Sequence, residues 1–389
     1  MTDSVYNTDN ILCNFPACLR KNIEELCLNS QIGLSTVNLN DISILSNRYN
    51  NEEIVLNSYH FIIKIPYAGK RLKWEIIFDP EDFCFAPDFD FNDDQFLNNP
   101  DFETIANNIP SLTKWNLKDP TALSTVLNEF LTLYKQIQIE KLLQENIYSR
   151  YGKEYEALIT EDNGIAPENI EVSIDNNTLH FLMSLKVDCS SLPEYIQPIE
   201  SDHGTWYNPG KDYAHLKISI LKLDGTRSNI ALQLSPRLEQ ILGNSKNLAL
   251  PDYKRDMVLS EYVSLVMKMI DNRIGMVADH FRMKKVYIAN LAAACNQSMI
   301  EYDTETYNKA VFLYSVNDYN CLVTITIGSK FPQEKPLVQL SSVFCQEGKQ
   351  CNENLDKYPY SPALRPDENI DKLLKYLEEA VSVFKNHRH

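Results

Sequence analysis

The sequence predicts an α+β fold in which short antiparallel meanders, flanked by helices, repeat in tandem along 389 residues. Three observations carry this. Over 72–78 the apolar residues Leu72, Trp74, Ile76 and Phe78 recur at the two-residue period of a strand. Apolar stripes at helical period stand on either side of such strands, over 123–142 and 370–384. The spacing from the last apolar residue of one strand to the proline that opens the next also recurs, nine residues from Phe78 to Pro87 and nine from Ile327 to Pro336.

The elements follow in order. Residues 1–10 are polar and acidic and lack the basic, apolar and small-residue order of a signal peptide. Leu19, Ile23, Leu26 and Cys27 predict a first helix within 11–34. A meander covers 43–91, with a strand at 59–65 and a turn at Pro66-Tyr67-Ala68-Gly69, where Gly69 admits a positive φ. Pro80 and Pro87 bound a loop, because proline has no N–H for a ladder, and Phe89 and Phe91 resume the alternation. Residues 92–118 are rich in Asn and Asp and read mostly as loop. Asp119 as N-cap and Pro120 at the first helical position open a helix that fades near Arg150. Its main face carries Leu123, Val126, Leu127, Phe130, Tyr134, Ile137 and Leu142; Leu131, Leu133 and Ile139 lie off it, a breadth that implies burial on two sides.

Further strands are predicted at 178–187, 215–223 and 229–234, the last two joined at Asp224-Gly225, with a long polar connection over 188–212. Leu238, Ile241 and Leu242 mark a short helix, and longer ones follow at 257–270 and 273–295. Strands near 299–303, 308–316, 321–327 and 337–344 lead to a last helix carrying Ile370, Leu373, Leu374, Leu377, Val381 and Phe384 on one face. This organisation divides the chain into units at 1–148, 149–272 and 273–389.

Composition narrows the function. A net charge of −16 argues against a phosphate-backbone groove, and so against nucleic acid; it leaves solubility, or a basic partner surface, as its meaning. No apolar run is long enough for a membrane span. Nine scattered cysteines read as reduced thiols, which points to a cytoplasmic or nuclear protein. No two of the 11 glycines are separated by one residue, which removes dinucleotide and phosphate-loop motifs, and no Gly-x-Ser-x-Gly elbow exists. Cys345 with Cys351 is too widely spaced for a zinc knuckle, and Cys13 with Cys18 lacks a second ligand pair nearby. His387-Arg388-His389, the one His-x-His, has no downstream Ser and Asp to complete a metalloprotease site. No metal or cofactor is expected.

Pro66-Tyr67-x-Gly69, an apolar strand and then Pro87-x-Phe89-x-Phe91 resemble the core signature of ubiquitin-conjugating enzymes. Phe331-Pro332 and Pro336 match that family's Tyr-Pro and strand-four proline; in the first unit Phe83 stands where the loop proline would be. The resemblance implies tandem ubiquitin-conjugating-enzyme-variant domains (UEV or RWD-like), each a helix–meander–helix unit. Such an enzyme carries ubiquitin on a cysteine thiolate and stabilises the oxyanion with an asparagine of a His-Pro-Asn motif. At the family's distances those positions fall on Leu97-Asn98-Asn99 and Asn107 counted from Pro87, and on Gln346-Glu347-Gly348 and Asp356 counted from Pro336. Cys351 is the nearest thiol, five residues early, with no His-Pro-Asn before it. A catalytic residue is therefore not expected, and a loop thiol is the reading of Cys351.

The match extends further. Ile65-Pro-Tyr-Ala-Gly69, Leu72-Lys-Trp-Glu-Ile-Ile-Phe78, Pro87-Asp-Phe89, Leu234-Ser-Pro-Arg237, Glu301-Tyr-Asp303 and Tyr358-Pro-Tyr-Ser-Pro362 closely resemble the BRE (brain and reproductive organ-expressed) family, in the same order; 150–212 and the N-terminal segment depart from it. The resemblance implies a non-catalytic subunit of the BRISC deubiquitinase and of a related nuclear DNA-repair complex, both acting on the extended, non-proteasomal lysine linkage of polyubiquitin. It places the chain in the ubiquitin pathway, with DNA damage and apoptosis as its settings. Its implied partners are a JAMM-type protease subunit, an Abraxas-type scaffold and a MERIT-type adaptor with a von Willebrand A-like domain, together with polyubiquitin and serine hydroxymethyltransferase. The alternative is a stand-alone module that binds ubiquitin or a Pro-rich motif. Candidate partner contacts are Tyr358, Pro359, Tyr360 and Pro362, against a rigid turn before the last helix, and Trp115, against cover for the meander's edge.

Overall fold

A computed structural model describes residues 12–28, 30–47, 55–98, 100–160, 164–175, 178–192, 212–343 and 351–386. Among them, three antiparallel sheets and their helices fall into two compact units. One runs to residue 268 apart from short pieces, and the other comprises those pieces and 269–386.

In the first unit, α1 (Arg20–Leu28) precedes a four-stranded sheet of β1 (Ile42–Asn47), β2 (Val55–Tyr67), β3 (Lys70–Ile77) and β4 (Asp88–Asp90), paired in that order. The alternation of β3 buries Trp74 and Ile76, and Phe78 continues the buried face just beyond the strand. Helix α2 (Phe102–Asn108) and the single turn α3 (Pro110–Thr113) occupy part of the stretch expected as loop. Asp101 caps α2 by accepting from the Thr104 amide at 2.7 Å, a helix start that the surrounding asparagines obscure. Helix α4 (Ala122–Gln144) packs on the sheet, with the Phe130 ring 4.7 Å from Phe89 and 4.9 Å from Phe91. It begins two residues later than expected. The Asp119 carboxylate accepts from the Thr121 amide and hydroxyl, so Asp119-Pro120 forms the preceding turn. After Gln144 the chain does not fade but turns into α5 (Ser149–Thr160), whose Tyr151, Tyr155 and Leu158 are buried.

The second sheet belongs to the same unit: β5 (Ile170–Asp175), β6 (Thr178–Leu185), β7 (Ala214–Ile220) and β8 (Ser228–Leu234), in sequence order. Strand β5 has no alternation to read, because Ile170, Glu171, Val172 and Ser173 are all buried. Of the long 188–212 connection, 193–211 lies outside the described residues. Ser235 caps α6 (Pro236–Leu242), its hydroxyl accepting from the Leu238 amide at 3.3 Å.

The two helices expected at 257–270 and 273–295 are one, α7 (Leu259–Ala294). Asp271-Asn272 resembles a boundary, yet no proline interrupts the run, and Gly275 faces open space without needing a glycine conformation. In the second unit the third sheet comprises β9 (Met299–Tyr302), β10 (Lys309–Val316), β11 (Tyr319–Thr326), β12 (Leu337–Ser342) and β13 (Asn352–Asn354), paired in that order. Helix α8 (Pro366–Asn386) lays Ile370, Leu373, Leu377, Val381 and Phe384 into its core. The recurring spacing has a structural counterpart: Phe78 and Ile327 are buried, and so are Pro87 and Pro336, each just ahead of a strand.

The turn between β2 and β3 is where the first two sheets join. Ala68 and Gly69 have φ of 47° and 73°, the left-handed pair of a tight hairpin. The Glu171 carboxylate accepts from the Ala68 amide at 2.6 Å through one oxygen and from the Leu34 amide at 3.0 Å through the other. Tyr67 donates its hydroxyl to the Val172 carbonyl at 2.8 Å, Lys217 donates to the Gly69 carbonyl at 2.8 Å, and Lys70 pairs with Asp175 at 2.8 Å. Beside this pair, His180 bonds through Nδ1 to the Ser219 hydroxyl at 2.9 Å. Burial, aided by Lys70 and Lys217, pushes His180 down to about 4. It is then neutral in the fold and takes a proton near 6.5 when unfolded. The stability it contributes is full above about 6.5 and is lost as pH falls toward about 4. The urea midpoint of the chain is expected to fall over that range, and His180→Asn to make the slope shallower.

Candidate functional site

Two places matter: the positions where thioester chemistry would sit, and the aromatic segment before α8. In the first unit, Asn98 is exposed in the loop after β4, Asn99 lies outside the described residues, and Asn107 is exposed on α2. The nearest thiol to Pro87, Cys84, is exposed on the loop before β4, and its environment opposes activation. The Asp82 carboxylate beside it, through a hydrogen bond and its charge, raises the thiol above its ordinary value despite Lys118.

In the second unit, Cys351 is exposed and its carbonyl accepts from the Ser342 amide at 3.0 Å, extending the β12–β13 ladder. Asp356 is exposed, and its carbonyl accepts from Lys335. Cys345 and Gln346-Glu347-Gly348 lie outside the described residues, as do His387 and His389. The remaining thiols include Cys295 and Cys321, each pushed up to about 11 by burial, and Cys27, pushed up to about 12. Among the described residues no group of three or more His, Cys, Asp or Glu could hold a metal, and no helix is long and apolar enough to cross a membrane.

The aromatic segment ties down a loop. Tyr358 is 4% exposed, and its hydroxyl donates to the Pro336 carbonyl. Tyr360 is half-buried and donates to the Pro332 carbonyl at 2.7 Å, with its ring 6.5 Å from Phe331. Both acceptors belong to the prolines that carry the signature in this unit. Lys335 lies over the Tyr358 ring, 4.8 Å from its centre. Asn369 on α8 then fixes the chain, accepting from the Ser361 amide at 3.0 Å and donating to its carbonyl at 2.9 Å. Pro359 and Pro362 are the exposed members of the segment. Trp115 stands in the other unit, half-buried against Phe78 with ring centres 5.8 Å apart; its indole N–H has no hydrogen-bond acceptor.

Sequence reading missed Glu171 as an organising residue. Its signal was a carboxylate inside Ile-Glu-Val, a charge in a strand with apolar neighbours on both sides. Near it a cleft of about 340 Å³ is lined by Tyr67, Leu131, Lys135, Ile139 and Glu171 among others. Two of its polar groups are engaged within the chain: Lys135 donates to the Pro167 carbonyl at 2.6 Å, and Asn128 to the Gln31 carbonyl at 3.0 Å.

The family model for brain and reproductive organ-expressed protein (BRE) matches residues 15–345. The chain belongs to the BRE family. A Danio rerio protein named BRISC and BRCA1-A complex member 2 is 29% identical over 331 residues, covering 83% of this chain and 82% of that protein. The Branchiostoma floridae protein of the same name is 29% identical over 335 residues, covering 84% and 83%. The BRE-family match spans all of the first two sheets and the third as far as β12; Cys351, Asp356, Tyr358 and Tyr360 lie beyond it.

Tyr358→Phe is expected to lower stability by about 1–2 kcal/mol, because the buried Pro336 carbonyl loses its donor. Pro362→Ala on the exposed turn should stay within about 0.5 kcal/mol of the parent. Thermal unfolding of the two variants measures both.

Proposed function

We propose that this BRE-family chain is a non-catalytic scaffold and adaptor subunit of a deubiquitinase complex of the BRISC and BRCA1-A kind. The observation that carries the reading is the family match over residues 15–345, supported by relatives that bear that complex name over more than four-fifths of their length. Its three sheets, each with flanking helices, support a reading as tandem UEV or RWD-like domains at 1–148, 149–272 and 273–389.

The mechanism is positional. The chain bridges a JAMM-type protease and its Abraxas-type scaffold to a MERIT-type adaptor. It supports recognition of polyubiquitin of the extended, non-proteasomal linkage, or of a target such as serine hydroxymethyltransferase. The chemistry then lies on another subunit, and two observations support this. Asparagine and aspartate stand where the reacting cysteine would be, and Asp82 raises the thiol nearest the first of those positions above its ordinary value. Partner contacts are assigned to Pro359 and Pro362, held in place by Tyr358 and Tyr360, and to the face around Trp115. A subunit of this kind works in both cytoplasm and nucleus, the second through a DNA-repair complex.

Co-expression of the protease–scaffold pair and the adaptor with and without this chain, followed by sizing, tests the bridging role. The adaptor should co-elute with the pair only when the chain is present; co-elution without it contradicts bridging. Incubation with ubiquitin, activating enzyme and ATP should give no reductant-sensitive ubiquitin adduct, and an adduct abolished by Cys351→Ala would overturn the non-catalytic assignment.

A further inference from the structure

We propose that the open edge of β4, with Phe85 on the loop just before it, is a docking surface for an extended Lys- or Arg-bearing segment of a partner protein. Strand β4 ends the first sheet, and among the described residues no strand pairs with its outer side. An open edge is a template for another strand, and natural sheets usually blunt it with lysine, proline or a cover. Here the edge carries Asp88 and Asp90, both exposed, while Phe89 between them packs inward against Phe130. Phe85 is 64% exposed, although Phe83 on the same loop finds a place near Phe78. Edge protection accounts for the aspartates alone; a docking anchor accounts for the aspartates and for the exposed Phe85 together.

Charge selects the occupant. Asp79, Glu81, Asp82, Asp88, Asp90 and Asp94 are exposed. None of these six is in an ion pair with Lys or Arg among the described residues. No Lys or Arg occurs in the sequence between Lys73 and Lys114. Within the loop, Asp82 raises the Cys84 thiol through a hydrogen bond and its charge, and Lys118 opposes it. A second copy of this chain, itself carrying a net charge of −16, would meet repulsion at this edge. A divalent cation has no cluster of three ligands here among the described residues. An added strand that alternates basic and apolar residues meets both features: its cations face Asp88 and Asp90, and an apolar side chain covers Phe85. The inference stands whether or not the bridging role does.

The test titrates the full chain into a fluorescein-labelled, end-capped peptide of alternating Lys and Val, with a Glu and Val peptide as the counterpart, and reads anisotropy. The basic peptide should bind and the acidic one should not. Asp88→Lys with Asp90→Lys, and separately Phe85→Ser, should each weaken binding about ten-fold or more. Glu378→Lys with Glu379→Lys, an equal charge change on the exposed side of α8, should leave it unchanged. Absence of binding by the basic peptide overturns the proposal. So does an equal loss in the α8 variant, which would reduce the effect to net charge, and so does unaltered binding by the Phe85→Ser and Asp88–Asp90 variants. The Phe85→Ser variant keeps the test decisive if the paired charge reversal fails to fold.

Discussion

The buried Glu171 carboxylate is the interaction on which the first unit depends. It is 2% exposed, and each oxygen takes a backbone amide from a different part of the chain: Ala68 in the hairpin turn and Leu34 after α1. A carboxylate removed from water is costly unless its acceptor capacity is filled. Burial still dominates here and raises Glu171 above its ordinary value, against the two amides and Lys135. Without that carboxylate, two buried amides would lack acceptors, each costing about 1–3 kcal/mol. The surrounding geometry is built to the same tolerance. A Cβ on Gly33 would stand 2.7 Å from a Glu171 oxygen and 2.8 Å from Leu131, at a φ of 60° that a side chain resists.

This explains why the Pro66–Gly69 turn serves as more than a hairpin. Its Tyr67 hydroxyl, Ala68 amide and Gly69 carbonyl all bond to residues of the second sheet. The turn whose sequence resembles a ubiquitin-conjugating signature is occupied within the chain. In the second unit a different signature loop is occupied, the one before β12, its two proline carbonyls held by Tyr358 and Tyr360. In both units, then, signature residues act as internal fasteners, which suits the proposed scaffold role.

How much of this could be read from sequence follows from where the information lies. Strand β3 was legible because one face is buried, so Trp74, Ile76 and Phe78 alternate with half-buried residues. Strand β5 was not, because burial on both faces erases the period and leaves Glu171 and Ser173 looking like breaks. Helix α8 was legible through its single apolar stripe, whereas α7 was divided in two by an Asp-Asn pair that lies inside a continuous helix. The candidate site was legible only in outline. Counting from Pro87 and Pro336 located the positions of the missing nucleophile, and composition raised the choice between solubility and a basic partner. The Glu171–Ala68 bond spans 103 residues and the Tyr358–Pro336 bond 22. Neither leaves a local pattern; each is a tertiary event that single-chain periodicity does not encode.

Native-state hydrogen exchange at the Ala68 and Leu34 amides tests the central claim most directly. If Glu171 fastens the two sheets into one cooperative unit, both amides open only with the strands β5–β7, at a common free energy. Glu171→Gln, which keeps the shape but replaces one acceptor oxygen with a donor, should then release at least one of them to faster, local exchange. Rapid exchange of both amides in the parent chain, or protection unchanged in Glu171→Gln, would contradict the account.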